Sequence, residues 1–559
     1  MTEQPARPVD VLADRFWDAI LELQPTTATV YGDQRYADRL EDPSEAGRSR
    51  AVDLWRRTRR EIAPLELTAA TVEDRITLDM IGVVCDLGLE QHEQRTDILA
   101  TVDQINGPQT ILPVITQFQR ADTPERFDAF VARLRSYPVF IDAHIDLLSE
   151  GLERGLTATR IATERTIAQL ERVLATPADE SPIVTLAQVG SDEDRAKIAA
   201  IVRDVVRPTD ARFLEALRGP YLAATRTDPG LWSAPDGDAL YRTAMRAWTT
   251  VAMPAAEIHR IGLDEMESLD AERRRISGAA GFGDDTVAYR ASLDADVANT
   301  PRTREEMLER ARDDIDRALA VAPRFFGRLP RTGCEVRSVE EFKEADSPFA
   351  YYYPPALDGS RPGIYYANGY DLPSRKYSKL ATTTFHEAVP GHHFQIALEM
   401  ENPHLNRFRR LGSRMVGGAY VEGWGLYSER LADEMGLFRS EAERFGMLDA
   451  QAWRAARLVV DTGMHALHWT RQQSVDYLLG AGLSMTDATI ETDRYIVWPG
   501  QALTYKLGQR AIEQLRRELT ARDGSRFDLR AFHDEILGHG SLPLATLLRE
   551  IPTWVSAAA

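Results

Sequence analysis

Lysine is nearly missing from this chain. Only Lys197, Lys343, Lys376, Lys379 and Lys506 occur among 67 basic residues, so arginine carries almost all positive charge. Acidic residues number 86 and the net charge is −19. A surface of that sign repels polyanions, and no basic stripe with interleaved aromatics offsets it, so no nucleic-acid partner is expected. Cysteine is equally scarce. Cys85 and Cys334 stand alone and far apart, which leaves neither a disulfide framework nor a cysteine-based zinc knuckle. The chain lacks the run of roughly 18 apolar residues that a membrane-spanning helix needs. Its first residues, MTEQPARPVD, lack the apolar stretch of a secretory signal. The expectation is a cytoplasmic protein with no membrane partner. Internal repeats, low-complexity tracts and Ser/Gly-rich linkers are also missing.

What is present is helix after helix. The 559 residues are 43% hydrophobic and 27% charged, normal for a globular chain long enough for more than one core. Residues 8–24 place Val11, Leu12, Phe16, Ile20 and Leu23 at helical spacing. Similar periodicity runs through 64–97, 124–150 and 157–176, and 192–206 follows a Gly190-Ser191 cap. Residues 254–276 and about 302–322 read as charged amphipathic helices, the first with Pro254 at its start. The texture changes at 333–370, where CEVRSVEEF and FAYYYPPALDGSRPGIYYAN predict short strands and turns. Helices return at 376–400, 414–435, 439–480, 485–493, 499–523 and 527–537. The reading is a mainly α protein with a small β-element. The lobe boundary falls near residue 300, giving an N-terminal helical lobe over 1–300 and a second lobe over 301–559.

The chemistry concentrates in TTTFHEAVPGHHFQ, residues 382–395. His-Glu on a helix followed by a further His is the pattern of zinc hydrolases, usually H-E-x-x-H. There two histidines at i and i+4 reach one ion at about 2.0–2.1 Å. Here the i+4 position is Pro390, and the next histidines are His392 and His393. On an ideal helix i+7 returns to the same face, but about 10 Å along the axis. Pro390 removes a helical hydrogen bond and Gly391 permits unusual dihedrals, so a bulge there absorbs two residues and puts His392 in the i+4 role. His392 is the preferred partner of His386, with His393 the close alternative. A third ligand is needed, and catalytic zinc often takes two histidines and a carboxylate. Glu422 in YVEGWGLYSE is the candidate, with Glu429 two turns on and placed to orient a ligand histidine.

HEAVPGHH followed by EGWGLYSE resembles the DUF885 family of bacterial proteins. LQPTTATVYGDQRYAD, EIHRIGLDEM, PPALDGSRPGIYYAN, RLVVDTGMHALHW and PGQALTYKLGQ match its pattern in order, so the likeness covers nearly the whole chain. The family in turn resembles the helical gluzincin peptidases, which have two helical lobes around a long channel. That resemblance implies a two-lobed metallopeptidase-like fold. It also implies one Zn2+ per chain held by His386, His392 or His393, and Glu422, with Glu387 as general base.

Around this centre, Arg457, Asp461 and His465 share a helix face at i, i+4 and i+8. His465 is a candidate donor to the oxyanion, and Arg457 a substrate-binding candidate. Tyr505 is a second oxyanion donor, and Lys506 a candidate for a substrate carboxylate. Tyr352, Tyr365 and Tyr366 are placed to line a cleft, where a strand pairs with a peptide backbone. The expected activity is hydrolysis of short peptides by metal-activated water. The rivals are a zinc amidase or esterase on a small acylated metabolite, and a catalytically silent helical binding protein.

Overall fold

The amphipathic repeat that opens the chain folds as helix α1 (Pro8–Leu23). Its buried stripe runs through Val9, Leu12, Phe16, Trp17, Ile20 and Leu21, whereas Val11 is 54% exposed. A 3.6-residue period that centres on Trp17 rotates Val11 out of the stripe. The structure, a computed structural model of the full chain, describes residues 7–66, 71–339, 344, 348–355 and 361–557. Residues 67–70 of the periodic stretch 64–97, Leu67 of its apolar set among them, lie outside the described residues. The protein is mainly helical. The periodic stretch beginning at residue 64 is the end of one helix, Glu45–Glu66, and the whole of the next, Val72–Gln94.

Backbone contacts divide the chain into two compact units. The first comprises residues 1–243, 464–471 and 490–499; the second comprises 244–463, 472–489 and 500–559. The division therefore falls at Thr243–Ala244, and the position near 300 lies within the second unit. Among the described residues, no helix is long and apolar enough to cross a membrane.

The first unit packs around helices α2 (Pro124–Arg154), α3 (Arg160–Ala175) and α4 (Arg207–Ala216). Leu134, Tyr137, Ile141, Leu170, Phe213 and Leu217 form the centre of this core. One polar pair is sunk into it: the Tyr137 hydroxyl donates to Asp210 Oδ1 at 2.7 Å. Burial pushes the Asp210 carboxyl up to about 7, although Tyr137 and then Arg207 oppose the shift. An unfolded Asp ionises near 4. Between about pH 4 and pH 7 the folded state holds a proton the unfolded state has released, so stability falls as pH rises through that window. Asp210→Asn keeps a hydrogen-bond acceptor for Tyr137 and removes the ionisation. Its thermal midpoint is expected to exceed that of the wild type at about pH 8, with the gain shrinking toward pH 5. An equal difference at both pH values would rule out this origin.

The second unit carries α5 (Ala255–Ala279), α6 (Arg304–Val321) and the β-element. Strand β1 (Cys334–Ser338) pairs parallel with β3 (Gly363–Ala367), and β2 (Ala350–Tyr353) pairs antiparallel with β3, giving the order β1-β3-β2. Side chains alternate across a strand. Tyr366 therefore stacks on Tyr351 at 5.0 Å between centroids, while Tyr365 and Tyr352 turn to the opposite face. Five helices follow that build the site: α7 (Tyr377–Glu387), α8 (His392–Glu401), α9 (Gly418–Glu434), α10 (Glu441–Ala466, of which residues 441–463 belong to this unit) and α11 (Thr504–Asp523). Helices α9 and α11 pack backbone to backbone. A Cβ on Gly423 would lie 2.3 Å from the Gly508 carbonyl carbon, so only glycine permits this approach.

Candidate metal centre

The His-Glu motif sits where one helix stops and another starts. Helix α7 ends at Glu387, Ala388 leaves helical geometry at φ −110°, ψ −98°, and α8 begins at His392. The Val389–Pro390 peptide is cis. The sequence predicts one continuous helix with a bulge; the structure shows two helices joined by a short corner. Proline at 390 cannot continue the hydrogen-bond ladder. Gly391 is pressed so closely to α7 that an added Cβ would lie 1.9 Å from the His386 carbonyl oxygen. The corner folds α8 back and brings His392 beside His386, with ring centroids 4.7 Å apart and planes at 82°.

Glu422, on the second turn of α9, completes a triangle. Its Oε2 lies 3.6 Å from His386 Nε2 and 3.5 Å from His392 Nε2. Donors held about 2.0–2.1 Å from one tetrahedral ion lie roughly 3.4 Å apart. Both distances from Glu422 Oε2 match that spacing, and two imidazoles with a carboxylate are a donor set suited to zinc. The residues present therefore fit the ion that the sequence implies. Ligand atoms of His386, Glu387 and His392 also fall within 4.8 Å of one another. Glu387 thus stands at the site beside Glu422. Gly425, one turn after Glu422, leaves space for the rings: a Cβ there would lie 2.8 Å from His386 Nε2 and 3.0 Å from His392 Cε1.

Behind the triangle runs a hydrogen-bonded chain. His386 Nδ1–H donates to Glu429 Oε1 at 2.9 Å, which leaves the Nε2 lone pair facing the other two donors. Gln451 Nε2 donates to Glu429 Oε2 at 3.0 Å, and Lys506 Nζ donates to Gln451 Oε1 at 2.9 Å and to Gln509 Oε1 at 2.7 Å. Electrostatics follow this order. Burial alone would lower the His386 pKa, but Glu422 and Glu429 outweigh it and raise it to about 9. Burial would raise Glu422, but His386 and His392 hold it well below the usual carboxylate range. Glu387 has its pKa raised by burial, only partly opposed by His392 and His386.

The remaining candidates separate cleanly. His393 points away: its Nε2–H donates to the Thr332 carbonyl at 3.1 Å, and its Nδ1 accepts from the Tyr352 hydroxyl at 3.0 Å. Burial lowers it to about 4, against the pull of the Thr332 carbonyl. His393 is therefore a buried neutral histidine bracing α8 against the sheet. Tyr505 stays close, its ring 6.5 Å from the His386 ring and 25° from parallel. The Arg457 guanidinium carbon lies 4.4 Å from the centroids of both Tyr505 and Trp453. Lys506 is spent inside the protein on the two glutamines, and burial lowers it to about 8, against Glu265 and Glu513. Its place is in the chain behind His386 instead of at a substrate carboxylate. Tyr365 is fully buried, within 3.4 Å of Thr384 Oγ1, and Tyr366 faces the other side of the sheet. Asp461 accepts the Gly500 N–H with both carboxylate oxygens at 3.1 Å.

His465 belongs to the first unit and is committed there. Its Nδ1 accepts the Leu231 N–H at 3.2 Å, and its Nε2–H donates to the Tyr495 carbonyl at 2.9 Å. Both ring nitrogens are used, so neither is left to donate to an oxyanion. Gly425, Gln451 and Arg454 are site neighbours that motif reading misses. Gly425 had a signal: residues 422, 425 and 429 share one face of α9.

Comparison with known proteins agrees with the architecture. The crystal structure of a candidate lipoprotein from Colwellia psychrerythraea superposes with a TM-score of 0.90 at 28% identity, covering 98% of this chain and 99% of that one. A candidate lipoprotein of unknown function from Shewanella oneidensis superposes at 0.77 and 20% identity, covering 97% and 99%. No curated protein matches the chain. Residues 25–551 match the family described as bacterial protein of unknown function, DUF885. The chain belongs to the DUF885 family.

Proposed function

We propose that this chain is a zinc-dependent hydrolase that cleaves amide bonds in short peptides. The observation that carries the reading is that Glu422 Oε2 lies 3.5–3.6 Å from both His386 Nε2 and His392 Nε2, with Glu387 beside them. Zinc held there supplies Lewis acidity toward water and the scissile carbonyl. Glu387 accepts the attacking water's proton and passes it to the leaving amine. The Tyr505 hydroxyl, with no hydrogen-bond partner among the described residues, donates to the developing oxyanion. Glu429 fixes the His386 ring, and Gln451 fixes Glu429.

The test offers the zinc-loaded full chain a panel of unmodified short peptides and a panel of acylated small molecules, with a chelated sample beside it. Peptide cleavage lost on chelation and restored by zinc is expected. Turnover confined to the small molecules would move the reading to an amidase or esterase. No turnover by protein that carries metal would contradict a hydrolase.

A further inference from the structure

Helix α10 gives Gln451 to the chain behind His386, and one turn later it carries a cation that the proposed hydrolysis does not use. Arg454 is half-buried. Its Nε is shielded from solvent and has no hydrogen-bond partner. Its guanidinium donates only to the Ala450 carbonyl of its own helix, at 3.4 Å, and no carboxylate among the described residues lies within ion-pair distance. The group rests on aromatic rings, its guanidinium carbon 4.4 Å from the Trp453 centroid and 6.0 Å from that of Tyr505. Tyr505 in turn stands 6.5 Å from the His386 ring. The positive charge of Arg454 also acts through space on both Glu387 and Glu429, which it does not pair with.

A partly buried guanidinium with no carboxylate paired directly to it leaves donors unused, and a bound anion satisfies them. The protein is rich in carboxylates, with 86 acidic residues, yet among the described residues none forms an ion pair with Arg454. We propose that Arg454 receives the free C-terminal carboxylate of the substrate. The site then selects peptides whose C-terminus lies one or two residues beyond the scissile bond. The reach is consistent: two ring contacts separate Arg454 from His386, and an extended chain covers about 3.3–3.6 Å per residue. Trp453 and Tyr505 hold the guanidinium in place as flat supports. The assignment rests on the hydrolase reading above and gives it a substrate class.

Binding without turnover tests it. Calorimetry on full-length Glu387→Gln protein compares trialanine as the free acid, trialanine amide, and an amide of the same length carrying one glutamate. The free acid is expected to bind about tenfold to a hundredfold more tightly than either amide. Arg454→Gln in the same background removes that preference, Arg454→Lys restores part of it, and both keep the metal content of the parent. Equal binding of acid and amide, or no binding of either, overturns the inference. Binding of the glutamate-bearing amide as tightly as the free acid overturns selection of the C-terminus. If wild-type protein cleaves no peptide but the Arg454-dependent preference persists, the hydrolase reading fails and the carboxylate site stands. If wild-type protein cleaves amides and free acids equally well, the hydrolase stands and this site does not.

Discussion

Replacing Glu387 by glutamine is expected to leave metal binding unchanged and to lower peptide hydrolysis by about 10²–10⁴-fold, the size of a general acid–base contribution. The substitution conserves shape and removes only the capacity to take a proton. The proposed ligand atoms belong to His386, His392 and Glu422, with Glu422 Oε2 3.5–3.6 Å from both imidazoles, so none is touched. Glu387 lies within the wider 4.8 Å group, which makes a ligand role its natural competitor. The two roles give opposite results. A ligand glutamate changed to glutamine weakens metal binding and activity together, whereas a general base changes activity alone. Metal titration and turnover on the same preparation separate them. Unchanged turnover would remove Glu387 as the base.

The second large effect distinguishes two adjacent histidines. His392→Ala is expected to lose the metal, with affinity falling by more than about a hundredfold, the upper range for removing even an outer partner of a ligand. His393→Ala is expected to keep it. Its cost is to stability: the Thr332 carbonyl and the Tyr352 hydroxyl both lose a partner, at about 1–3 kcal/mol for a group left buried and unsatisfied. Metal content and thermal midpoint, measured on both variants, give a crossed pattern. Loss of metal in His393→Ala with retention in His392→Ala would reverse the ligand assignment.

Much of this centre was legible in the sequence. His386 and Glu387 adjoin, and Glu422 and Glu429 stand two turns apart on one face of a helix; that this face meets His386 is seen in the fold. The helices were legible for the same reason, since an apolar stripe at 3.6 residues has few other uses. The corner was not. Whether His392 or His393 turns inward depends on the dihedrals at Ala388 and Gly391, which spacing cannot give. His465 shows a related limit. Sharing a face with Arg457 and Asp461 sets a direction, but Leu231 and Tyr495, distant in sequence, take both its nitrogens. Lys506 drew notice as one of five lysines, and the surroundings that explain it, Gln451 and Gln509, are visible only in the fold. Arg454 gave no signal among so many arginines; what marks it is the lack of a directly paired carboxylate among the described residues, a property of packing.

Tyr365 and Tyr366 illustrate the strand rule at work. Adjacent residues on β3 face opposite sides, so one lies near α7 and the other stacks with Tyr351 in the aromatic cluster. Two neighbouring tyrosines on one strand therefore cannot line the same wall.

The central claim is that His386, His392 and Glu422 hold one metal ion. Elemental analysis of purified, tag-free protein after exposure to zinc, beside the His386→Ala variant, tests it most directly. The account predicts one zinc per chain in the wild type and none retained by the folded variant. No zinc in the wild type, or equal zinc in both proteins, would contradict it.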